Sequence, residues 1–405
     1  MAININAKTT GVGGLETSAD NSGNINIQSG GSTVMSVTSS GVAVTGSFSQ
    51  NGAVYSTQPS FRNLIINGDM RIAQRGTSTS GITAGGTYPS IDRMRYALST
   101  IGTWTHAQDT DVPTGQGFAF SNKLSCTTST TLSAGSFILW QQIIEGQNLQ
   151  SLKKGTSNAE PLTASFWVKT NKTGIFTVEL YDTDNTRSIS QLVTINAANT
   201  WEKKTITFPG DTTGTIVSDN SSGMTMQLWL AAGSNFTSGT LATSWEASTA
   251  ANRAVGQTIN LADSTSNYIN ITGVQLEVGS TATEFEHLPV DVELARCERY
   301  FEISYNQGTA LGTVTQDGAE MWLANRNPGA PHHYLKFRTV KRTIPGVTIY
   351  NPSTGATGSF RNLDAGTNPS SVTSRIGHKG TTLYTGTSTG LGQFMQFHYT
   401  ADAEL

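Results

Sequence analysis

Runs with an apolar side chain at every second residue constrain this chain more than any other feature, because only a β-strand gathers such residues onto one face. Leu162, Ala164, Phe166 and Val168 alternate in this way, as do Phe176, Val178 and Leu180, and again Met224, Met226, Leu228 and Leu230. Each of these strands is predicted to have one buried side. Further strands are expected over 190–195, 205–208 and 268–278, and their regular succession predicts an all-β chain centred on an antiparallel β-sandwich or jelly roll. Composition fits turns and short strands: 42 of the 405 residues are Gly, roughly a tenth against an ordinary ~7%.

Charge narrows the function classes. Only 13% of residues are charged and the formal net charge is −3. A nucleic-acid binder normally carries a basic surplus to neutralise phosphates, and a disordered chain a high net charge. Neither is present. The sequence shows no run of about 18 apolar residues and no basic leader, so we expect folding in a cytoplasm without membrane insertion. Cys126 and Cys297 match no metal or redox spacing and read as free buried thiols.

Four regions are expected. Residues 1–60 hold very short strands, with Ile25 and Ile27, Val34 and Val37, and Val42 and Val44 separated by Gly and Ser. So few apolar side chains cannot offset an ordering cost of about 1–2 kcal/mol per residue by packing against one another. Partner copies would supply the missing core, and three chains around an axis is the simplest solution, giving a trimeric stem or attachment segment. A flexible Gly/Ser-rich tail is the alternative. Residues 61–288 form the sandwich, with Asn67-Gly68 as a hairpin signal. Residues 289–302 read as a connecting helix: Pro289 suits its first turn, and Val290, Leu294, Cys297 and Phe301 recur at helical spacing. Glu293, Arg296, Glu298, Arg299 and Glu302 would form its solvated face. Residues 303–405 form a small distal β domain, with a turn at Asp317-Gly318, a strand from Val347 to Tyr350, and Phe394, Gln396 and His398 facing away from Met395, Phe397 and Tyr399.

Catalytic patterns are weak. Ser388 sits in a nucleophile-elbow spacing but lacks the strand before it and the helix after it. His332 and His333, adjacent on a strand, would point to opposite faces and have no carboxylate at ligand spacing. No segment singles out a carboxylate pair, although Glu145, Glu179 and Asp182 are available. No catalytic residue, metal or cofactor is expected. Sugar binding is better supported, because glycans are held by aromatic faces with Asn, Gln, Asp and Glu beside them. Trp167, Tyr181 and Trp229 fall out of phase with the buried sets, together with Glu179 and Gln227, and would form a platform if their strands are neighbours. A covering layer or a second subunit over that face is the alternative. Trp245 is a loop candidate, whereas Trp140 and Trp201 read as structural. Lys336, Arg338, Lys341 and Arg342 could engage an anionic polysaccharide, or be solvated or paired charge.

FRNLIINGDMRIAQRGTS at 61–78 and YPSIDRM at 88–94 resemble the opening of a domain found in bacteriophage tail fibres and related virion proteins. ITGVQLEVGSTATEFEHLPVDVELARCERYFE at 271–302 resembles their junction between sandwich and distal domain, and HYTADAEL at 398–405 their terminal strand. The chain departs from that pattern at Met94, where a large aromatic residue is expected. LTASFWVKTNKTGIFTVEL at 162–180 and TWEKKTITFPGDTTG at 200–214 are similar to the jelly rolls of carbohydrate-binding modules. The resemblance implies a non-enzymatic homotrimeric tail-fibre protein of the virion. It would join other tail or baseplate proteins through its N-terminal segment and adhere to host-surface polysaccharide or lipopolysaccharide. A purely architectural tail component and a polysaccharide depolymerase are the alternatives.

Overall fold

The computed structural model describes residues 61–324, 332–386 and 392–405, and, ahead of them, residues 3–7, 15–16, 25–29, 31–38, 41–44, 48–50 and 53–55. The chain divides into two compact units, Met1–Phe61 and Arg62–Leu405.

In the first unit, β1 (Ile3–Ala7), β2 (Leu15–Glu16), β3 (Ile25–Ser29), β4 (Ser32–Thr38) and β5 (Gly41–Val44) form a sheet in the order β2-β1-β3-β4-β5. β1 and β3 are parallel, and the other pairs antiparallel. β6 (Phe48–Gln50) and β7 (Ala53–Tyr55) pair separately. Among the side chains described in this unit none is buried, and Ile25 is 43% exposed. The shortage of core expected from the sequence holds for these residues.

The second unit is built on a sandwich of two antiparallel six-stranded sheets. Its strands are β8 (Ser78–Ile82), β9 (Arg95–Ser99), β10 (Thr103–Asp109), β11 (Ser121–Thr128), β12 (Phe137–Glu145), β13 (Leu162–Thr170), β14 (Gly174–Asp182), β15 (Arg187–Ile195), β16 (Glu202–Phe208), β17 (Ser222–Ala232), β18 (Glu246–Ala247) and β19 (Tyr268–Val278). One sheet runs β16-β13-β19-β11-β10-β8 and the other β18-β15-β14-β17-β12-β9. The alternating sets of β13, β14 and β17 meet Trp104, Trp140, Ile269, Ile271 and Leu276 in one core. Full burial of each large apolar side chain contributes about 1.5–3 kcal/mol. Met94, fully buried, takes the place of the expected aromatic residue in this core, and Cys126 and Cys297 are free and buried.

Three expectations are corrected here. Asn67-Gly68 makes a turn without flanking strands. Asn67 takes φ 61°, and Gly68 lies so close to the carbonyl of Val274 that a Cβ would stand 2.1 Å from its oxygen. The turn thus fits against β19 instead of joining two strands. The helix covers Val290–Glu298 only, so Phe301 opens a strand, and Val290 is exposed. Its charged residues are not a solvated face either. Glu293, Glu298 and Glu302 are buried. Glu293 pairs with Arg296 at 3.2 Å and accepts the Asn67 N–H, while Arg299 grips Glu145 at 2.7 and 2.8 Å. Spacing along the helix could not reveal Asn67 and Glu145, which lie 226 and 154 residues from their partners in sequence.

The remaining strands are β20 (Phe301–Ile303), β21 (Glu320–Leu323), β22 (His332–Lys336), β23 (Gly346–Tyr350), β24 (Arg361–Asn362), β25 (Ser371–Gly377), β26 (Gly380–Thr385) and β27 (Phe394–Asp402). β27 pairs with β20, β21, β23 and β24, and β22-β26-β25 form a second sheet. Met395, Phe397 and Tyr399 of β27 enter a core with Trp322, Leu335, Phe337, Ile349 and Phe360.

Residues of 61–78, 88–94, 271–302 and 398–405 converge on one buried joint between the sandwich and these strands. The Arg93 guanidinium lies 3.6 Å from the Tyr300 ring centroid and pairs with Glu404; that of Arg75 lies 3.5 Å from the Phe301 ring and pairs with Glu404 at 3.3 Å. Gln74 donates its backbone N–H to Asp92 at 2.9 Å and its side-chain amide to the Phe301 carbonyl at 2.6 Å, and the Tyr88 hydroxyl donates to the Leu405 carbonyl at 2.9 Å.

Candidate functional site

The aromatic and polar platform expected from strand phase divides between two sheets with different fates. Tyr181, Glu179, Gln227 and Trp229 occupy the outer face of the β14–β17 sheet, with Glu179 opposite Gln227 and Tyr181 opposite Thr225. That face is covered by the chain following β17. The short helix α1 (Ser234–Thr237) sets Phe236 against Trp229, ring centroids 5.1 Å apart, and Arg253 reaches Glu179 at 2.8 and 3.1 Å. Glu179 also accepts Gln227 Nε2 and Trp229 Nε1, both at 2.8 Å. Burial pushes the Glu179 carboxyl up from its ordinary range, with Arg253 opposing. Glu179, Gln227 and Trp229 are therefore corrected from exposed candidates to a closed internal network. Tyr181 is half-buried beside Arg253, 5.2 Å away. Trp245, also half-buried, donates its indole N–H to the Pro209 carbonyl at 2.8 Å and has Lys154 Nζ 5.6 Å from its ring centroid, so both rings already have partners.

The basic quartet does not form an anionic-glycan patch. Lys341 is fully buried and pairs with Glu302 at 2.5 Å, where Glu302 also accepts the Tyr399 hydroxyl at 2.5 Å. Arg342 donates to the carbonyls of Asn220, Ala403 and Glu404 at 2.8–2.9 Å. Arg338 donates to the Ile303 carbonyl at 3.1 Å and stands 3.6 Å from Glu298. Lys336 alone of the four is exposed without an ion pair. His333 stacks on Trp322 and His332 on Tyr384, at 5.2 and 5.1 Å, and no group of three or more His, Cys, Asp or Glu among the described residues could hold a metal. Ser388 lies outside the described residues. Among the carboxylates weighed for catalysis, Glu145 is engaged by Arg299 and Tyr300, and Asp182 by Lys154 at 2.5 Å.

Trp167 is different. It points from the outer face of the β13–β16 sheet, across from Lys203 on β16 and Thr272 on β19. All seven Trp residues are described, and Trp167 is half-buried, with no hydrogen bond, ring partner or cation on its indole among the described residues. It borders a cavity of about 170 Å³, lined also by Gln116, Phe118, Ser165, Lys203, Gly273, Glu284, Phe285 and His287.

The cavity exists because β19 carries a bulge. Ser165 faces Gln275 and Trp167 faces Thr272, so Gly273 and Val274 together oppose Phe166. The extra residue shifts the apolar phase from Ile269 and Ile271 to Val274 and Leu276, keeping both halves of the strand in the core. Gly273 takes φ 61°, and a Cβ there would stand 2.5 Å from the Phe118 ring. Only glycine admits both the left-handed backbone and that ring. Phe118, Phe285 and His287 then form a wall, with centroid distances of 4.8–5.3 Å. Burial pushes the His287 pKa down, opposed by Asp69, so the ring is neutral near pH 7 and offers one donor and one acceptor.

Sequence phase had nominated Trp167 but not its neighbours. The legible signal was the phase slip at Gly273 within an otherwise alternating strand; Phe118 and Phe285 come from loops, which carry no periodicity to read.

No protein-family model matches the chain, and no curated protein matches it. Among solved structures, the enzymatically active domain of tailspike protein 4 of bacteriophage CBA120 is similar at 12% identity and TM-score 0.28, over 54% of this chain and 21% of that one. A family 11 carbohydrate-binding module from Clostridium thermocellum, in complex with a β-1,3-1,4-mixed-linked tetrasaccharide, is similar at 10% identity and TM-score 0.24, over 51% and 99%. A family 4 carbohydrate-binding module aligns at 13% identity and TM-score 0.26, over 52% and 97%. At these scores the likenesses carry no weight for the site, which rests on the chain's own side chains.

Proposed function

We propose that this protein is a non-enzymatic adhesion protein of a phage tail, a homotrimeric fibre component that binds host-surface glycan through the Trp167 cavity. The single observation behind the glycan reading is the partner-free indole of Trp167 set among hydrogen-bonding side chains. A pyranose ring presents C–H groups to an aromatic face and hydroxyls to polar neighbours, and Gln116, Lys203, Glu284 and neutral His287 supply donors and acceptors of both kinds. A single cavity of this size would be weak, on the order of millimolar, or about −4 kcal/mol. Three copies on one stem, and several stems on one particle, would raise avidity by about 10²–10⁴.

The test is binding of the purified full chain to an array of bacterial surface polysaccharides. Trp167→Ala should weaken any binding at least about tenfold, the loss of a single ring-stacking anchor, with an unchanged unfolding midpoint. Undiminished binding by that variant would remove Trp167 from the site.

The architectural reading draws on a separate observation: the tail-fibre-like segments meet in the joint of Arg75, Asp92, Arg93, Tyr300 and Glu404. Particles that lose assembly in joint variants, but adsorb normally when Trp167 is replaced, would favour it.

A further inference from the structure

Resting on the glycan reading, we infer that the Trp167 cavity receives the end of a glycan, a terminal or branch sugar, and not an internal stretch of a linear polysaccharide. An internal stretch must enter and leave, so it needs a channel open at two ends. Hydrogen-bonded segments of the chain border this cavity on three sides.

Toward β11, the loop leading into that strand lies over the outer face of the sheet. Thr272 Oγ1 donates to the Phe120 carbonyl at 2.7 Å, and the Phe118 ring rests on Gly273. Toward the C-terminal end of β13, Asp111 ties two elements together, accepting Lys169 Nζ at 2.7 Å and Trp201 Nε1 at 3.0 Å. Along β19, residues 283–287 are laced to the strand. Glu286 N–H donates to Gln275 Oε1 at 2.9 Å, and Thr283 donates its N–H and hydroxyl to Glu277 at 2.8 and 2.7 Å. The open side is the edge strand β16, where Lys203 and Thr205 are exposed. Size agrees: about 170 Å³ falls below the ~300–1,000 Å³ of sites for drug-sized ligands and suits one ring with its hydroxyls. Lys203, on that strand, would meet the linkage and the second sugar.

The experiment is calorimetric titration of the full chain with size-fractionated oligosaccharides of two to eight residues, prepared from bacterial O-antigen and capsule and from β-1,3- and β-1,4-glucans. Recognition of an end gives one occupied cavity per unbranched oligosaccharide, and a Kd per oligosaccharide that changes by less than about twofold with length, since each has one such end whatever its length. A Kd per oligosaccharide that falls steadily with length, with several proteins on one long oligosaccharide, would overturn the inference while leaving the glycan reading intact, provided Trp167→Ala abolishes it. Absence of any Trp167-dependent binding across the series would instead overturn the glycan reading, and the inference with it.

Discussion

His106 shows how a single side chain can tie stability to pH. It is fully buried between Ser90 and Asn122: Nδ1 lies 2.8 Å from Ser90 Oγ, and Nε2 lies 2.8 Å from Asn122 Oδ1. Asn122 spends its amide N–H on the Tyr96 hydroxyl at 2.6 Å, so its oxygen faces the ring and accepts from Nε2–H. Ser90 can then donate to Nδ1, and the neutral ring is satisfied at both nitrogens. Burial pushes the pKa down to about 4, with the Asn122 hydrogen bond opposing. The unfolded chain, with an ordinary His near 6.5, binds more protons than the folded one between pH 4 and 6.5. The contribution is therefore complete above pH 6.5 and lost as pH falls toward 4, amounting to roughly 3 kcal/mol over the window. The difference in unfolding free energy between the wild type and His106→Gln, which cancels the other titrating groups, should shrink steadily across that window. A difference independent of pH would show that the ring titrates normally in the fold.

At the scale of elements, the strands were legible in the sequence and their surroundings were not. Alternation at 162–168, 176–180 and 224–230 located the core faces, because a period of two fixes which side chains share a face. It is silent on what covers the other face. Glu179 and Trp229 pointed away from the core as expected and were still buried, because the aperiodic chain carrying Phe236 and Arg253 folds over them. Lys341 gave no sign of its burial, because its partner Glu302 lies 39 residues away in sequence. The bulge at Gly273 marks the limit between the two cases: its phase slip is local, while the loop ring that needs the glycine is remote. Gly273→Ala is predicted to cost about 1–2 kcal/mol for the left-handed backbone alone, and to push Phe118 out of the cavity wall. Thermal unfolding together with glycan titration should show both losses. A variant with wild-type affinity would detach the bulge from the site.

At the scale of the whole molecule, the two units pose opposite packing problems. Arg62–Leu405 has extensive cores, whereas the described side chains of the first unit include none that is buried. Self-association would remove that exposed apolar surface from water, and light scattering on the full chain should then return three times its 43.0 kDa; a monodisperse monomer would refute the trimer. Adhesion requires in addition that one aromatic ring remain free to be covered by sugar. Fluorine NMR of the full chain labelled with 5-fluorotryptophan, titrated with the best-binding oligosaccharide, tests this most directly. The Trp167 resonance, assigned by its absence in Trp167→Phe, should shift on saturation while those of Trp229 and Trp245 stay in place. A shift at Trp229 or Trp245 with Trp167 unmoved would contradict the assignment of the site.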